Sequence, residues 1–542
     1  MPTLHWLTRE QDLKAAANAE YRLLVEVPEL SYEKRITTDN TENTDKGIKE
    51  SVLSKLACKP SSVVNKIMPT YDNLIVQGDN LEALKALLPF YAGQVKCIYI
   101  DPPYNTGSAF EHYDDNLEHT LWLSMMYPRL ELLKQFLRED GAIFIQLDDN
   151  ELHYAKIICD EIYGRTNFRN TIIVSRIKKN IREREFVRSL NYAQDFILFY
   201  VKSDNCFIRP PVKEDKKDER WHALDASGLR TGMDYELFGK RPPKGRHWAW
   251  SYDKAMEAIK SGILKPHEKT GKPIYKIGAS DTSMLDTNWT DLYTSSFNWD
   301  FLSGEKNEKV IQRIFEMITN PGDYVLDSFL GSGTTAAVAH KMGRKYIGVE
   351  MGEQAKTHCA ARLKKVIDGE QGGISEAVGW KGGGGFRFFT LGEAVFDQER
   401  RIKANISFEN LAAHIWFTET KTPIKRITTD NTENTDKGIQ ESVLSGSSVV
   451  KKSPFLGVHE GTAYALLYNG ILGDKSVSGG NVLTHATLNH IKHDIEQAEK
   501  KEKKEFEYNK LVIYGEATRL PNISLKYNDI EFKQTPYDIK VW

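Results

Sequence analysis

Asp101-Pro102-Pro103-Tyr104 is the tetrapeptide with the clearest chemistry in the chain. It follows the apolar run Cys97-Ile98-Tyr99-Ile100, so it is expected at the C-terminal mouth of a buried strand, where open α/β sheets bind ligands. Two prolines fix their own φ and offer no backbone donor, which stiffens the turn and leaves its carbonyls free to accept. A carboxylate, free carbonyls and an aromatic face aimed at one spot suit a flat heterocycle carrying an amino group.

A second signal lies far downstream, at Leu326-Asp327-Ser328-Phe329-Leu330-Gly331-Ser332-Gly333-Thr334-Thr335. Tyr324-Val325-Leu326 reads as a strand, the glycines as a tight turn, and Thr334 to Met342 as a helix. Tyr346-Ile347-Gly348-Val349 makes the next strand and ends on Glu350. Glycines let the backbone approach a cofactor, and an acid at the following strand end can hold ribose hydroxyls. The spacing Gly331, Gly333, Ala336 also fits the relaxed dinucleotide fingerprint, so the turn alone is a moderate signal. A phosphate-cradling P-loop is excluded, because no Lys-Ser or Lys-Thr follows the glycines. Phe329, two residues before Gly331, favours a methyl-donor nucleoside, S-adenosylmethionine.

Further elements must position these two turns. Leu74-Ile75-Val76-Gln77-Gly78-Asp79 is a strand running into an acid, and Asp79 is also a good N-cap for a helix from Leu81 to Leu88. Both roles are open. Phe144 to Asp149 is another strand ending in acids, read as a solvated strand end; no metal site is expected. Glu118 to Arg138 carries Leu121, Trp122, Met125, Met126, Leu130 and Leu133 at helical spacing, a core stripe.

Together, Asp-Pro-Pro-Tyr and Phe-x-Gly-x-Gly resemble the amino-group DNA methyltransferases. Their order resembles the circularly permuted β class, and Asp101 to Gly107 is similar to the modification (Mod) subunits of type III restriction systems. The resemblance covers roughly residues 71 to 390; Ser328 departs from the proline of many relatives without altering the glycine turn. It implies a Rossmann-like α/β methyltransferase fold with a mixed, mostly parallel sheet, an inserted target-recognition domain and a C-terminal α+β domain. By the same resemblance Asp101 and the Pro102 carbonyl accept the two hydrogens of the target amino group, Pro103 completes the turn, and Tyr104 stacks on the extruded base. Asp79, Asp327, Phe329, Gly331, Gly333, Thr334 and Glu350 would hold S-adenosylmethionine. Asp in the first position, rather than Ser, favours adenine N6 over cytosine N4. Double-stranded DNA, a restriction (Res) subunit and a homodimer are the implied partners. A solitary or N4-cytosine methyltransferase and a catalytically silent recognition subunit are the alternatives; an NAD oxidoreductase leaves Asp101 to Tyr104 unexplained.

Composition sets bounds. At 542 residues the chain exceeds one ordinary core, so two or three domains are expected. A formal charge of −2 gives no global nucleic-acid signature, and any grip on DNA must come from local stripes. Five cysteines without paired ligand spacing fit a reducing cytosol. No apolar run reaches about eighteen residues and the start, Met1 to Glu10, is polar, so a cytoplasmic protein without a membrane span is expected.

Along the chain, residues 1–70 are read as a helical lead with an inserted element at 34–64. Residues 71–165 are read as the catalytic half of the sheet and 301–390 as the cofactor half. Between them, 166–300 changes character: Arg176, Lys178 and Lys179 form a basic stripe, followed by Trp221, His222, Trp248, Trp250, Trp289 and Trp299. Basic groups hold phosphates and planar groups read or wedge bases, so this is the expected target-recognition domain. Gly382 to Gly385 reads as a flexible hinge before a C-terminal domain, 391–542. Lys34 to Ile48 recurs letter for letter at Lys425 to Ile439. Two such copies, rich in Thr, Asn and Asp, read as surface inserts at 34–64 and 425–450 rather than a solenoid.

Overall fold

The computed structural model describes residues 3–34, 73–105, 109–110, 113–114, 119–176, 193–295, 306–397, 402–403, 406–424, 453–468, 481–502, 505–520 and 529–535. The duplicated elements (bar Lys34), Lys178, Lys179 and Trp299 lie outside the described residues. The chain divides into two compact units, Arg209–Asn288 and the remainder.

The larger unit is built on an eleven-stranded sheet. In chain order its strands are β1 (Arg22–Glu26), β2 (Tyr32–Lys34), β3 (Leu74–Gln77), β4 (Val95–Ile100), β5 (Leu137–Leu147), β6 (Phe168–Ser175), β7 (Gln194–Val201), β8 (Asn288–Tyr293), β9 (Tyr324–Asp327), β10 (Lys345–Glu350) and β11 (Gly384–Ala394). They lie in the order β1-β11-β3-β10-β9-β4-β5-β7-β6-β8, with β2 also on β11. From β11 to β5 every pairing is parallel. Antiparallel strands extend both flanks: β1 and β2 on β11, and β7 on β5 followed by β6 on β7. The sheet is therefore mixed and parallel through its centre.

Strand β4 shows why that centre is covered on both sides. Ile98 and Ile100 enter one apolar layer, and Cys97 and Tyr99 the other, the two-residue period of a strand buried on both faces. Helices α1 (Asn80–Tyr91), α2 (His119–Phe136) and α3 (Leu152–Cys159) feed the first layer with Leu84, Leu87, Trp122, Met126 and Ile158. Helices α4 (Glu308–Ile318), α5 (Thr334–Lys341) and α6 (Ala361–Asp368) feed the second with Ile311, Ile314, Val338 and Leu363. In α4 the residues Val310, Ile311, Ile314, Phe315 and Ile318 fall on one helical face, and Asn307 caps its start by accepting from the Lys309 N–H at 3.0 Å.

Four readings of the sequence are refined here. Among its described residues the N-terminal lead contains only two four-residue helical turns, Arg9–Asp12 and Ala15–Asn18, before it supplies the edge strands β1 and β2. The glycine run is no hinge: a Cβ on Gly382 would stand 2.8 Å from the Ile367 carbonyl oxygen, and one on Gly385 2.7 Å from that of Tyr32. These glycines let backbones close on one another. Of the stretch 166–300, β6 and β7 belong to the large sheet, Trp289 is buried in its second apolar layer, and residues 209–288 form the separate unit. That unit has small antiparallel sheets, a helix at Tyr252–Lys260, and its own core of Leu224, Leu237, Trp248, Ala255 and Leu264.

The fourth concerns the C-terminal region. Strands β12 (Phe455–His459), β13 (Thr462–Leu466), β14 (Lys510–Gly515) and β15 (Ile530–Gln534) form a four-stranded sheet. β13, β14 and β15 are parallel, because the connection from β13 to β14 passes through a helix, α7 (His485–Glu502). The region is α/β in pairing rather than α+β. No helix among the described residues is long and apolar enough to cross a membrane.

Candidate active site

The two turns singled out in the sequence leave neighbouring strands. β4 and β9 are hydrogen-bonded and parallel, with Ile98 beside Leu326, so Asp101 and Asp327 emerge from the same edge of the sheet. Tyr104 and Phe329 both pack against the first apolar layer. Two segments more than two hundred residues apart in sequence thus meet at adjacent strand ends, the position where open α/β sheets place their ligands.

Around Asp101 the side chains form a closed network. The Tyr104 hydroxyl donates to Asp101 Oδ1 at 2.5 Å, and the Lys306 ammonium lies 2.9 Å from Asp101 Oδ2. Lys306 also donates to the Tyr104 hydroxyl at 3.0 Å and stands 4.9 Å from the centre of its ring. Gln146, at the end of β5, donates to the same hydroxyl at 3.0 Å and to Asp195 at 3.3 Å, while its carbonyl accepts from the Tyr99 hydroxyl at 2.7 Å. Burial, and then the charge of Asp101, push the Tyr104 phenol well above its ordinary range, so it stays a donor to Asp101. The Pro103 carbonyl is not free, since the Trp122 indole N–H donates to it at 2.8 Å. Among the described residues no hydrogen bond reaches the Pro102 carbonyl. Asn105 holds a left-handed φ of 60° and ties the end of the turn to Glu151 at 2.8 Å.

The glycine turn is built for close approach. Gly331 and Gly333 have φ of 56° and 82°, values that favour glycine. A Cβ on Gly333 would press on Cys359 Cα at 3.2 Å, whereas one on Gly331 would find nothing nearer than 4.0 Å, so Gly331 borders open space. Asp327 accepts from the Phe329 N–H at 2.9 Å and the Thr335 hydroxyl at 2.6 Å, and burial pushes its carboxyl up to about 7. Glu350 is buried and receives the N–H groups of Gly331 at 2.7 Å and Gly352 at 3.1 Å. It therefore shapes the turn as well as bordering it. Thr334 accepts from Arg362 at 2.8 Å, which joins the turn to a buried network: Arg362 and Lys341 both pair with Glu308, at 2.9 and 3.0 Å.

Residues 95–361 match the family described as DNA methylase (N6/N4). That stretch of the chain belongs to the family. It is 33% identical over 402 residues to the HindVI Mod subunit of a type III restriction-modification enzyme of Haemophilus influenzae, covering 59% of this chain and 54% of that one. It is 31% identical over 306 residues to the type II methyltransferase M.EcaI of Enterobacter cloacae, covering 51% of this chain and 66% of that one. The chain thus spans only part of these relatives. Among solved structures, a DNA modification methylase from Thermus thermophilus complexed with S-adenosyl-L-methionine aligns at 16% identity and a TM-score of 0.31, over 54% of this chain and 95% of that one.

Within this chain the other expected residues fall as follows. Asp79 acts as the N-cap of α1, accepting from the Leu81 N–H at 2.8 Å, and its second oxygen pairs with Arg129 at 2.8 Å. Its neighbour Asn80 donates to the Ser328 carbonyl at 2.7 Å, which fastens the start of α1 to the turn after β9. Arg176 sits beside the Asp101 network, 3.1 Å from Asp195 and 3.6 Å from Asp148. Its guanidinium is held by two buried carboxylates. Burial raises both, Asp148 to about 6. In the unit 209–288, Trp248 is core and donates to the Tyr235 carbonyl at 2.7 Å, while Trp221 and His222 lie on an exposed strand.

Lys306, Gln146, Asp195 and Asn80 were not singled out from the sequence. A glutamine interrupting the apolar run Ala142 to Leu147 was a usable signal for Gln146, and an acid heading Phe196 to Val201 for Asp195. Lys306, among polar neighbours, carried none.

Proposed function

We propose that this chain is an S-adenosylmethionine-dependent DNA methyltransferase acting on the N6 amino group of adenine. One observation carries the reading: Asp101-Pro102-Pro103-Tyr104 and the Phe329-to-Gly333 turn stand at the ends of adjacent parallel strands. The donor fits the residues present. Its sulfonium and ammonium are cationic, and the mouth presents the carboxylates of Asp101, Asp327 and Glu350 around a turn whose Gly331 borders open space. Phe329, Gly331, Gly333 and Thr334 would hold it at the turn, with Asp79 and Glu350 at the flanking strand ends.

Bound there, the donor supplies an electrophilic methyl group. The work of this chain is to position the nucleophile. Asp101 and the Pro102 carbonyl accept the two amino hydrogens, which directs the nitrogen lone pair away from both. Tyr104 holds the ring by stacking, and Gln146, itself held by Tyr99, fixes the Tyr104 hydroxyl. Asp101 then carries the charge that stabilises the developing positive nitrogen. The proton lost from the product nitrogen leaves along the hydrogen bond to Asp101.

The order of the two motifs supports a circularly permuted sheet, and the exposed strand Arg220–Ala223 supports a target-recognition role for the unit 209–288. Lys178 and Lys179 are the proposed phosphate contacts, with Arg176 bracing the base pocket. The likeness to the HindVI Mod subunit supports a modification role in a type III system, in which a restriction subunit would cut and the chain would act as a dimer.

The test is methylation itself. The purified chain, DNA and labelled S-adenosylmethionine should yield N6-methyladenine in one sequence context, identified by single-molecule sequencing of the product. Label on cytosine N4 would keep the chemistry and correct the base. No transfer to any DNA, with S-adenosylmethionine bound, would overturn the proposal.

A further inference from the structure

Lys306 reproduces, with one side chain, both contacts that the proposed reaction assigns to the target base. Its ammonium puts an N–H donor 2.9 Å from Asp101 Oδ2 and its Nζ stands 4.9 Å from the centre of the Tyr104 ring. A base stacked on that face of Tyr104, with its amino group on Asp101, would occupy the same volume. Lysine suits temporary occupancy, because its charge sits on a flexible four-carbon stem, and Lys306 precedes α4, joined to Ser295 by an isolated bridge. The other Asp101 oxygen is on the Tyr104 hydroxyl, so without DNA the acceptor is satisfied at both ends.

We propose that Lys306 is a resident stand-in for the target amino group, displaced by an amino-bearing base and returning to expel the methylated product. This rests on the methyltransferase reading above. A base that displaces the ammonium gains only the difference between its own bonds to Asp101 and those of Lys306. An amino group with two N–H donors restores the loss. A carbonyl facing Asp101 repels it and leaves Oδ2 of a half-buried carboxylate without a donor, a costly exchange. The methylated product has one N–H fewer and competes less well. Lys306 thereby turns the pocket into a test for an unmodified amino group, specificity obtained by a competitor rather than by added contacts.

The experiment uses the full chain and a duplex carrying the site mapped by the methylation assay. 2-Aminopurine replaces the target base; it lacks an amino group at the reacting position and fluoresces when unstacked. Lys306→Met should raise the flipped fraction about fivefold, equivalent to about 1 kcal/mol at 1.4 kcal/mol per factor of ten, and lower the KM for DNA. A damaged pocket would not produce such a gain. Lys306→Gln is measured in parallel and read in the same way if the methionine variant does not fold. Wild type should bind its methylated product several-fold more weakly than the unmethylated duplex, a preference that both variants lose. Unchanged or reduced flipping in variants that still bind S-adenosylmethionine, or equal wild-type affinity for the two duplexes, overturns the role of Lys306. If wild type methylates DNA while the Lys306 result is negative, the enzyme reading stands and only this inference falls.

Discussion

Tyr104 has two separable tasks, and a pair of substitutions distinguishes them. Its hydroxyl donates to Asp101 at 2.5 Å and accepts from Gln146 and Lys306, each at 3.0 Å. Tyr104→Phe removes all three bonds and keeps the ring. Neither donor is orphaned, because Gln146 retains Asp195 at 3.3 Å and Lys306 retains Asp101 at 2.9 Å. The loss is then the bond to a charged carboxylate, about 1.5 kcal/mol at the low end for such bonds, which is about tenfold. If the hydroxyl orients Asp101, that factor falls on kcat while the KM for DNA stays put, since stacking is intact. Tyr104→Ala also deletes the stacking surface, worth about 1–3 kcal/mol per base, and should lose at least about fivefold more in kcat/KM. Steady-state transfer of labelled methyl to a duplex bearing the mapped site measures both. A Tyr104→Phe enzyme with wild-type kcat would show that the hydroxyl network does not orient Asp101. Equal losses in the two variants would remove the ring from base binding.

Asp101→Asn keeps the shape and deletes the charge, and turnover should fall by about 10²–10³ with S-adenosylmethionine affinity unchanged in calorimetry; retained turnover would remove Asp101 from the chemistry. Glu308→Ala removes the carboxylate that Lys341 and Arg362 share, both buried beside it, leaving Lys341 with the longer pairing to Glu370 at 3.5 Å, and should cost about 3–5 kcal/mol of stability in urea unfolding. A loss under about 1 kcal/mol would mean the network is a surface-like pair. Asp327 has a folded value of about 7 against an ordinary 3.8, so the native state binds more protons than the unfolded chain between these limits. Stability therefore declines as pH rises from about 4 to 7, by up to about 4 kcal/mol from this group. Asp327→Asn, whose amide can keep the Phe329 and Thr335 contacts, should remove that part of the slope; parallel pH curves for variant and wild type would refute the burial argument.

The parts of the fold legible in the sequence are those fixed by local chemistry. Apolar runs that end in Asp101, Asp327 and Glu350 are strands of the parallel centre, and the glycines at 331 and 333 do take left-handed φ. The parts missed depend on pairing between distant segments. The runs Ile172–Val174 and Phe196–Val201 are apolar enough to be strands, but nothing local says that they extend the large sheet rather than belong to an inserted domain. The edge strands β1 and β2 and the compact glycines Gly382 and Gly385 are defined by partners far away in the chain or by close backbone approach. In the site, both motif turns were visible, and the Asp101–Lys306 pair was not, because a lysine among polar neighbours shows no sign of the carboxylate it will meet.

The charge arrangement supports separate sets of residues for the proposed cofactor and for phosphates. Asp101, Asp148, Asp195, Asp327 and Glu350 converge on one edge of the sheet, with Lys306 and Arg176 as internal partners. Such a mouth favours a cationic methyl donor and disfavours a phosphate backbone. A chain of formal charge −2 can hold DNA only through local clusters of cations outside that mouth. In the proposed reaction, an acidic pocket that already holds an ammonium offers an amino group, rather than a phosphate or a carbonyl, a place to exchange into.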